Sequence, residues 1–182
     1  KQSQDIGLTN RDRYGSITEA RKYTHLFMAE LQQAHLTYTP AAVANVFLAL
    51  AKAEARPISN LKIQKLLYFA NGLYLASTGV PLVNEQFQAW TYGPVLISLY
   101  GLLRVFRDGP ITIEKLEAID TVSPDTYAYA LILGVWERLK GYSAWQLVEI
   151  THQDGSPWHK AIKSGGRFAA INNADLKEYF SH

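Results

Sequence analysis

The chain contains no cysteine, which removes disulfide cross-links, thiolate nucleophiles and sulfur-based zinc sites from consideration and fits a reducing compartment. An excess of one charge is also missing. Lys and Arg number 18 against 16 Asp plus Glu, a formal net charge of +2, without the one-sided cationic surplus that marks most nucleic-acid binders. Nor is there a long apolar run: Ala41 to Ala51, interrupted by Asn45, covers about half of the roughly 20 residues that a membrane-spanning helix needs. The residues from Lys1 to Asp5 are polar and lead into no apolar signal core, so neither membrane insertion nor secretion is expected, and a cytoplasmic protein is the simplest reading. The chain opens on Lys1 rather than methionine, as a trimmed sequence does. No glycine pattern of the phosphate-loop or dinucleotide-binding kind occurs, and no cofactor is implied.

What is present is a run of helix signals in 182 residues, enough for one domain that removes roughly 70% of its unfolded surface from water. Residues 1–15 carry glycine, asparagine and charge without an apolar period and read as a tail. Ser16-Ile17-Thr18-Glu19 has the capping-box spacing, and Ile17, Ala20, Phe27, Leu31 and Ala34 give a helix over about 17–34 with a sparse apolar side. Residues 1–37 are therefore taken as an N-terminal extension, and 38–182 as the main domain. That domain starts with Thr39-Pro40, a hydroxyl cap followed by a proline whose missing N–H costs nothing, and a helix to about Glu54.

Ser59 caps a third helix over about 60–78, ended by Gly79, in which Ile63, Leu66, Leu67, Ala70, Leu73 and Tyr74 make a wide apolar face. From Val80 to Tyr92 the period shortens, and Leu82-Val83, a turn at Asn84-Glu85, then Phe87, Ala89 and Trp90 predict a small hairpin. Gly93-Pro94 opens a fourth helix to about Phe106, followed by a short strand or irregular stretch from Ile111 and one helical turn near Glu114 to Ala118. Ser123-Pro124 caps a fifth helix to Lys140, Ser143 a sixth to about Thr151, Ser156-Pro157 a seventh to about Ile162, and Asn173 a last one through Phe180. The fold class is mainly α: a compact multi-helix domain with one β-hairpin.

Three constellations could carry chemistry. His152, Asp154 and Ser156 lie within five residues and raise the question of a hydrolytic triad, but groups this close on a helix-turn-helix rarely converge on one histidine, and Ser156 already serves as a cap. His152 and His159, with Glu149 and Asp154 nearby, match no zinc spacing, so His152 is read as fastening a turn through a backbone carbonyl. Arg56, Lys62 and Lys65 beside Tyr68 could form a basic patch for nucleic acid; without a glycine-rich loop they read as a solvated face, and nucleic-acid contact is not expected. The aromatic residues say more. Trp145 and Trp158 are expected in the core with bonded edges, whereas Trp90 and Tyr92, at the end of the hairpin, are placed to anchor a protein interface.

Three blocks, in order, resemble one family. They are Leu61-Lys62-Ile63-Gln64-Lys65-Leu66-Leu67-Tyr68-Phe69-Ala70-Asn71-Gly72, then Ala89-Trp90-Thr91-Tyr92-Gly93-Pro94-Val95, then Ser143-Ala144-Trp145-Gln146-Leu147 followed by Thr151 to Trp158. Over about residues 38–180 the chain resembles the Panacea antitoxin family, SocA-like or phage-associated GepA-like. The resemblance implies a helical antitoxin that neutralises a toxin by direct contact, with no catalytic, cofactor or metal site. SocA-like members imply an alternative, an adaptor that hands a bound toxin to a ClpXP-type protease; a hydrolase using His152 is the remaining reading. The family's signature falls on Lys65, Leu66, Tyr68, Trp90, Tyr92, Gly93, Pro94, His152, Pro157 and Trp158, and Asp154 stands where the family has glutamate.

Overall fold

A computed structural model describes residues 36–181. The tail and the helix expected over 17–34 lie outside the described residues. Seven helices are described: α1 (Pro40–Ala53), α2 (Asn60–Thr78), α3 (Ile97–Leu103), α4 (Tyr127–Leu139), α5 (Ala144–Thr151), α6 (Pro157–Gly165) and α7 (Asn173–Phe180), with strands β1 (Gln88–Trp90) and β2 (Gly93–Val95) between α2 and α3. The mainly α fold with a single hairpin is as the sequence predicts.

The organising element is α2, against which α1, α3, α4, α5, α7 and β2 all pack. Ile63, Leu66, Leu67, Ala70 and Tyr74 are fully enclosed, as befits a helix apolar over most of its circumference. Leu73, predicted on the same face, is 40% exposed, because it points between α2 and α4 where no described element covers it. Trp136 of α4 is fully buried and its indole N–H donates to the Glu54 carboxylate at 2.9 Å, closing α4 onto the end of α1. Gly72 lets the Phe180 ring lie flat on α2, since a Cβ there would meet that ring at 2.2 Å.

Local signals fixed most helix starts. Thr39, Ser59, Ser143 and Ser156 each accept a backbone N–H with the side chain, and Gly79 ends α2 at φ 82°. Others moved. The cap of α4 is Thr126, whose hydroxyl accepts from Tyr129 N–H, while Ser123 lies a turn earlier, beside the Asp125 carboxylate. α7 is capped by Asn172 rather than Asn173, and α6 continues to Gly165, past Ile162. No helical turn forms over Glu114 to Ala118.

The hairpin is displaced from its predicted place. Gln88 pairs with Val95, Ala89 with Pro94 and Trp90 with Gly93, around a turn at Thr91-Tyr92. Gly93-Pro94 is therefore a strand, and the fourth helix begins only at Ile97. Leu82 and Val83 are buried but form no hairpin strand: Val83 makes an isolated bridge to Tyr38, and its N–H donates to Asn71 Oδ1 at 3.2 Å. Burial of an apolar pair by a buried amide on α2 took the place of strand pairing. On its other side β1 bonds with the 168–171 segment, through Ala89 N–H to Ala169 O, Phe168 N–H to Ala89 O and Ile171 N–H to Phe87 O, each at 2.8 Å.

Candidate functional site

Lys65, one turn into the buried stretch of α2, is fully enclosed. Its ammonium donates to the Pro94 carbonyl of β2 at 2.9 Å, and burial pulls its pKa down to about 7. One residue earlier, Gln64 holds the same strand end: Leu96 N–H donates to Gln64 Oε1 at 2.9 Å. The hairpin approaches this closely because residue 93 has no side chain. A Cβ at Gly93 would stand 2.7 Å from Lys65 Cε and 2.8 Å from Thr151 Oγ1, and φ there is +97°. Lys65 is thus a core residue, not part of the solvated face expected of Arg56, Lys62 and Lys65. Tyr68 is buried as well, and Lys62 donates to the Lys140 carbonyl at 2.8 Å.

The third block closes on the hairpin from the other side. Trp158 on α6 donates its indole N–H to the Trp90 carbonyl at 2.9 Å, and its ring stacks on His152 at a centroid distance of 3.7 Å and 11° between planes. The expected bond from His152 to a backbone carbonyl is replaced by this stack, and among the described residues its Nε2 is buried without a hydrogen-bond partner. Burial and, secondarily, the charge of Lys65 hold the His152 pKa below its ordinary value. The turn is tied instead by His159, whose Nδ1 accepts from Gly155 N–H at 3.0 Å. Replacing Trp158 by phenylalanine keeps a ring for the stack but strands the Trp90 carbonyl. The expected loss is about 1 to 2 kcal/mol in urea unfolding.

The groups that could have formed a triad are held elsewhere. Ser156 donates to the Thr151 carbonyl at 2.7 Å and accepts from His159 N–H at 3.1 Å. Asp154, whose side chain is fully exposed, faces His159 Nδ1 at 3.4 Å. Among the described residues no group of three or more His, Asp or Glu is arranged to hold a metal, and no helix is long and apolar enough to cross a membrane.

Outside this interlocked centre the hairpin tip borders a cleft of about 460 Å³ lined by Trp90, Tyr92, Tyr100, Trp145 and Phe168 with Arg107 and Arg167. Trp145, expected in the core, is 57% exposed and Tyr92 56%, and their rings meet edge to face at 5.3 Å. Trp90 contacts Tyr100 at 4.9 Å and Phe168 at 5.3 Å between centroids. Arg107 and Phe168 have φ of +51° and +71°, a region that costs non-glycine residues about 1 kcal/mol or more and is often occupied at functional sites. Neither these two, nor Tyr100 and Arg167, carries a sequence signal that separates it from an ordinary loop or helix residue. Only Trp90 and Tyr92 were legible as part of an aromatic surface.

The described residues thus form an α-helical domain with an enclosed polar linchpin and an open aromatic rim. Residues 63–159 match the family model described as Antitoxin SocA-like, Panacea domain, and the chain is 39% identical over 142 residues to the Antitoxin SocA of Caulobacter vibrioides (strain NA1000 / CB15N), covering 72% of this chain and 74% of that protein. The chain belongs to the SocA-like Panacea family. No solved structure matches it.

Proposed function

We propose that this protein is an antitoxin that neutralises a cognate protein toxin by direct contact, with the aromatic cleft as its grip. The family and the relative's name support the antitoxin role. The observation that supports this mode of action is the pair of exposed rings, Tyr92 and Trp145, on a cleft beside a hairpin that the Lys65–Pro94 and Trp158–Trp90 bonds hold in place. Large, rigid, half-exposed aromatics backed by arginines are the residue types that dominate protein–protein binding energy. In this reading Lys65, Tyr68, Gly93, Pro94, His152, Pro157 and Trp158 build and stiffen the platform, Trp90 spans platform and cleft, and Tyr92 touches the toxin. Residues 38–182 form the binding domain, and residues 1–37 an extension to it.

Co-expression with the product of the adjacent gene tests this directly: growth should be restored and the two proteins should co-purify. Tyr92→Ala and Trp145→Ala should each weaken the complex by about 2 kcal/mol, close to thirtyfold, with unfolding midpoints near that of the parent. A toxin that binds both variants as tightly as the parent would move the interface elsewhere. If the toxin's half-life lengthens on deletion of this protein, the adaptor role replaces simple neutralisation.

A further inference from the structure

The charged groups of the aromatic cleft narrow what it can hold. Arg107 and Arg167 both line it, and both are exposed. Among the described residues neither stands in an ion pair, whereas Lys52, Arg56, Lys140 and Lys160 are each matched by a carboxylate. Asp108, the acidic residue in the cleft wall, pairs with neither arginine.

Both arginines sit on backbone that is tied down. Arg107 follows the 3₁₀ turn Arg104–Phe106, and its N–H donates to the Arg104 carbonyl at 3.1 Å. Arg167 precedes Phe168, whose N–H donates to the Ala89 carbonyl of β1 at 2.8 Å. The Arg167 guanidinium carbon lies over the Phe168 ring, 5.1 Å from its centre, and a guanidinium resting on a ring face keeps its N–H edge for a second partner. Trp90 touches both segments, with Tyr100 of α3 at 4.9 Å and Phe168 at 5.3 Å between centroids. The cleft therefore offers a set of rings with a fork-shaped donor on each of the two chain segments that flank Trp90.

Two such donors suit two carboxylates, each of which can accept a pair of parallel N–H bonds, and the rings suit an apolar or aromatic side chain. A phosphate-bearing strand would use the same groups, but proteins that hold single strands surround their aromatic platform with a cationic groove. Here Asp108 stands in the wall and the whole chain carries a formal net charge of only +2. We infer that the toxin segment seated in this cleft is acidic: it brings carboxylates to Arg107 and Arg167 and an apolar side chain to the rings. The inference rests on the reading of the cleft as the grip on the toxin and specifies which kind of toxin surface is gripped.

The test titrates the full chain with the purified product of the adjacent gene. Arg107→Glu and Arg167→Glu should each weaken binding by about tenfold or more, and Arg107→Lys by less, because it keeps the charge and loses only the fork. Added salt should weaken the parent complex and change that of the Arg107→Gln, Arg167→Gln double variant far less. One Asp→Lys or Glu→Lys substitution in the toxin should restore binding to Arg107→Glu while weakening binding to the parent. Thermal midpoints near the parent's separate lost binding from lost folding, and the Lys and Gln variants carry the test if a Glu variant does not fold. Full affinity in both Glu variants overturns the inference. If Tyr92→Ala then still weakens the complex, the aromatic grip stands without its acidic partner; if Tyr92→Ala and Trp145→Ala also bind fully, the grip itself is gone. Glu variants that keep the toxin but lose an oligo-dT probe bound by the parent would assign the arginines to nucleic acid, which overturns the inference as well.

Discussion

Gly93→Ala is expected to cost about 3 kcal/mol or more and to lower the thermal midpoint by roughly 10 °C. Two effects add. The left-handed φ of +97° strains any side chain by about 1 to 2 kcal/mol, and the new methyl would overlap Lys65 Cε and Thr151 Oγ1 at 2.7 and 2.8 Å. Neither neighbour has room to yield: Lys65 is fully enclosed and anchored on Pro94, and the Thr151 hydroxyl donates to the Val148 carbonyl at 2.8 Å. Gly155 supplies the control. It has φ +78° with nothing within 4 Å of its Cβ position, so Gly155→Ala should cost only the strain, about 1 kcal/mol. Urea titrations of the two variants measure the crowding at residue 93 by difference, and equal losses would show that hairpin and α2 can separate at little cost.

Stability should rise between pH 7 and pH 10, and Lys65→Met should remove most of that rise. Burial holds the Lys65 pKa in the folded protein at about 7 against an ordinary 10.5. Between those values the unfolded chain carries a proton on this amine that the folded chain has released. The unfolded state then binds more protons, and the free energy of unfolding climbs with pH by up to about 1.4 kcal/mol per unit, a few kcal/mol over the window. Below about pH 7 both states are protonated and this contribution is flat. Lys62, also lowered by burial, works in the same direction and persists in the variant. Tyr74, raised by burial to about 12, acts oppositely once the unfolded phenol ionises above its ordinary value near 10, so the measurement belongs below that pH. His152, its pKa lowered, adds a separate loss as pH falls below about 6.5, where the unfolded imidazole takes up a proton that the folded one refuses. Urea midpoints at pH 7, 8 and 9 for parent and Lys65→Met decide the matter: parallel slopes would mean that the buried amine keeps its charge.

The sequence was legible where one or two neighbouring residues set the geometry. Hydroxyl caps at Thr39, Ser59, Ser143 and Ser156, and the glycine stop at Gly79, act within a single turn, so their positions could be read without knowing what packs on what. The hairpin was legible as an element but not in register, because Leu82 and Val83 have the composition of a strand and are buried in irregular backbone by Asn71. Lys65 illustrates the larger gap. A lysine three residues from another suggests a wetted face, and only the tertiary packing reveals that one points into the core toward the Pro94 carbonyl while the other reaches the end of α4. Trp145 failed in the reverse sense. Its size argues for burial, yet it follows the cap of α5 and stays 57% exposed, with Tyr92 meeting it edge-on. The family blocks survived these errors because they come together at one centre, whatever the role each residue was first given.

Both edges of the small ribbon are engaged by other described parts of the chain. On the β1 side the Ala89 amide and the carbonyls of Phe87 and Ala89 are taken up by the 168–171 segment; on the β2 side the Pro94 carbonyl belongs to Lys65 and the Leu96 amide to Gln64. The main-chain groups used in this way are not open to a further strand, the mode of recognition that reads main chain and tolerates many sequences. If the hairpin tip grips a toxin as proposed, selectivity there rests with side chains, and substitutions around the tip are the expected way to redirect this scaffold from one adversary to another.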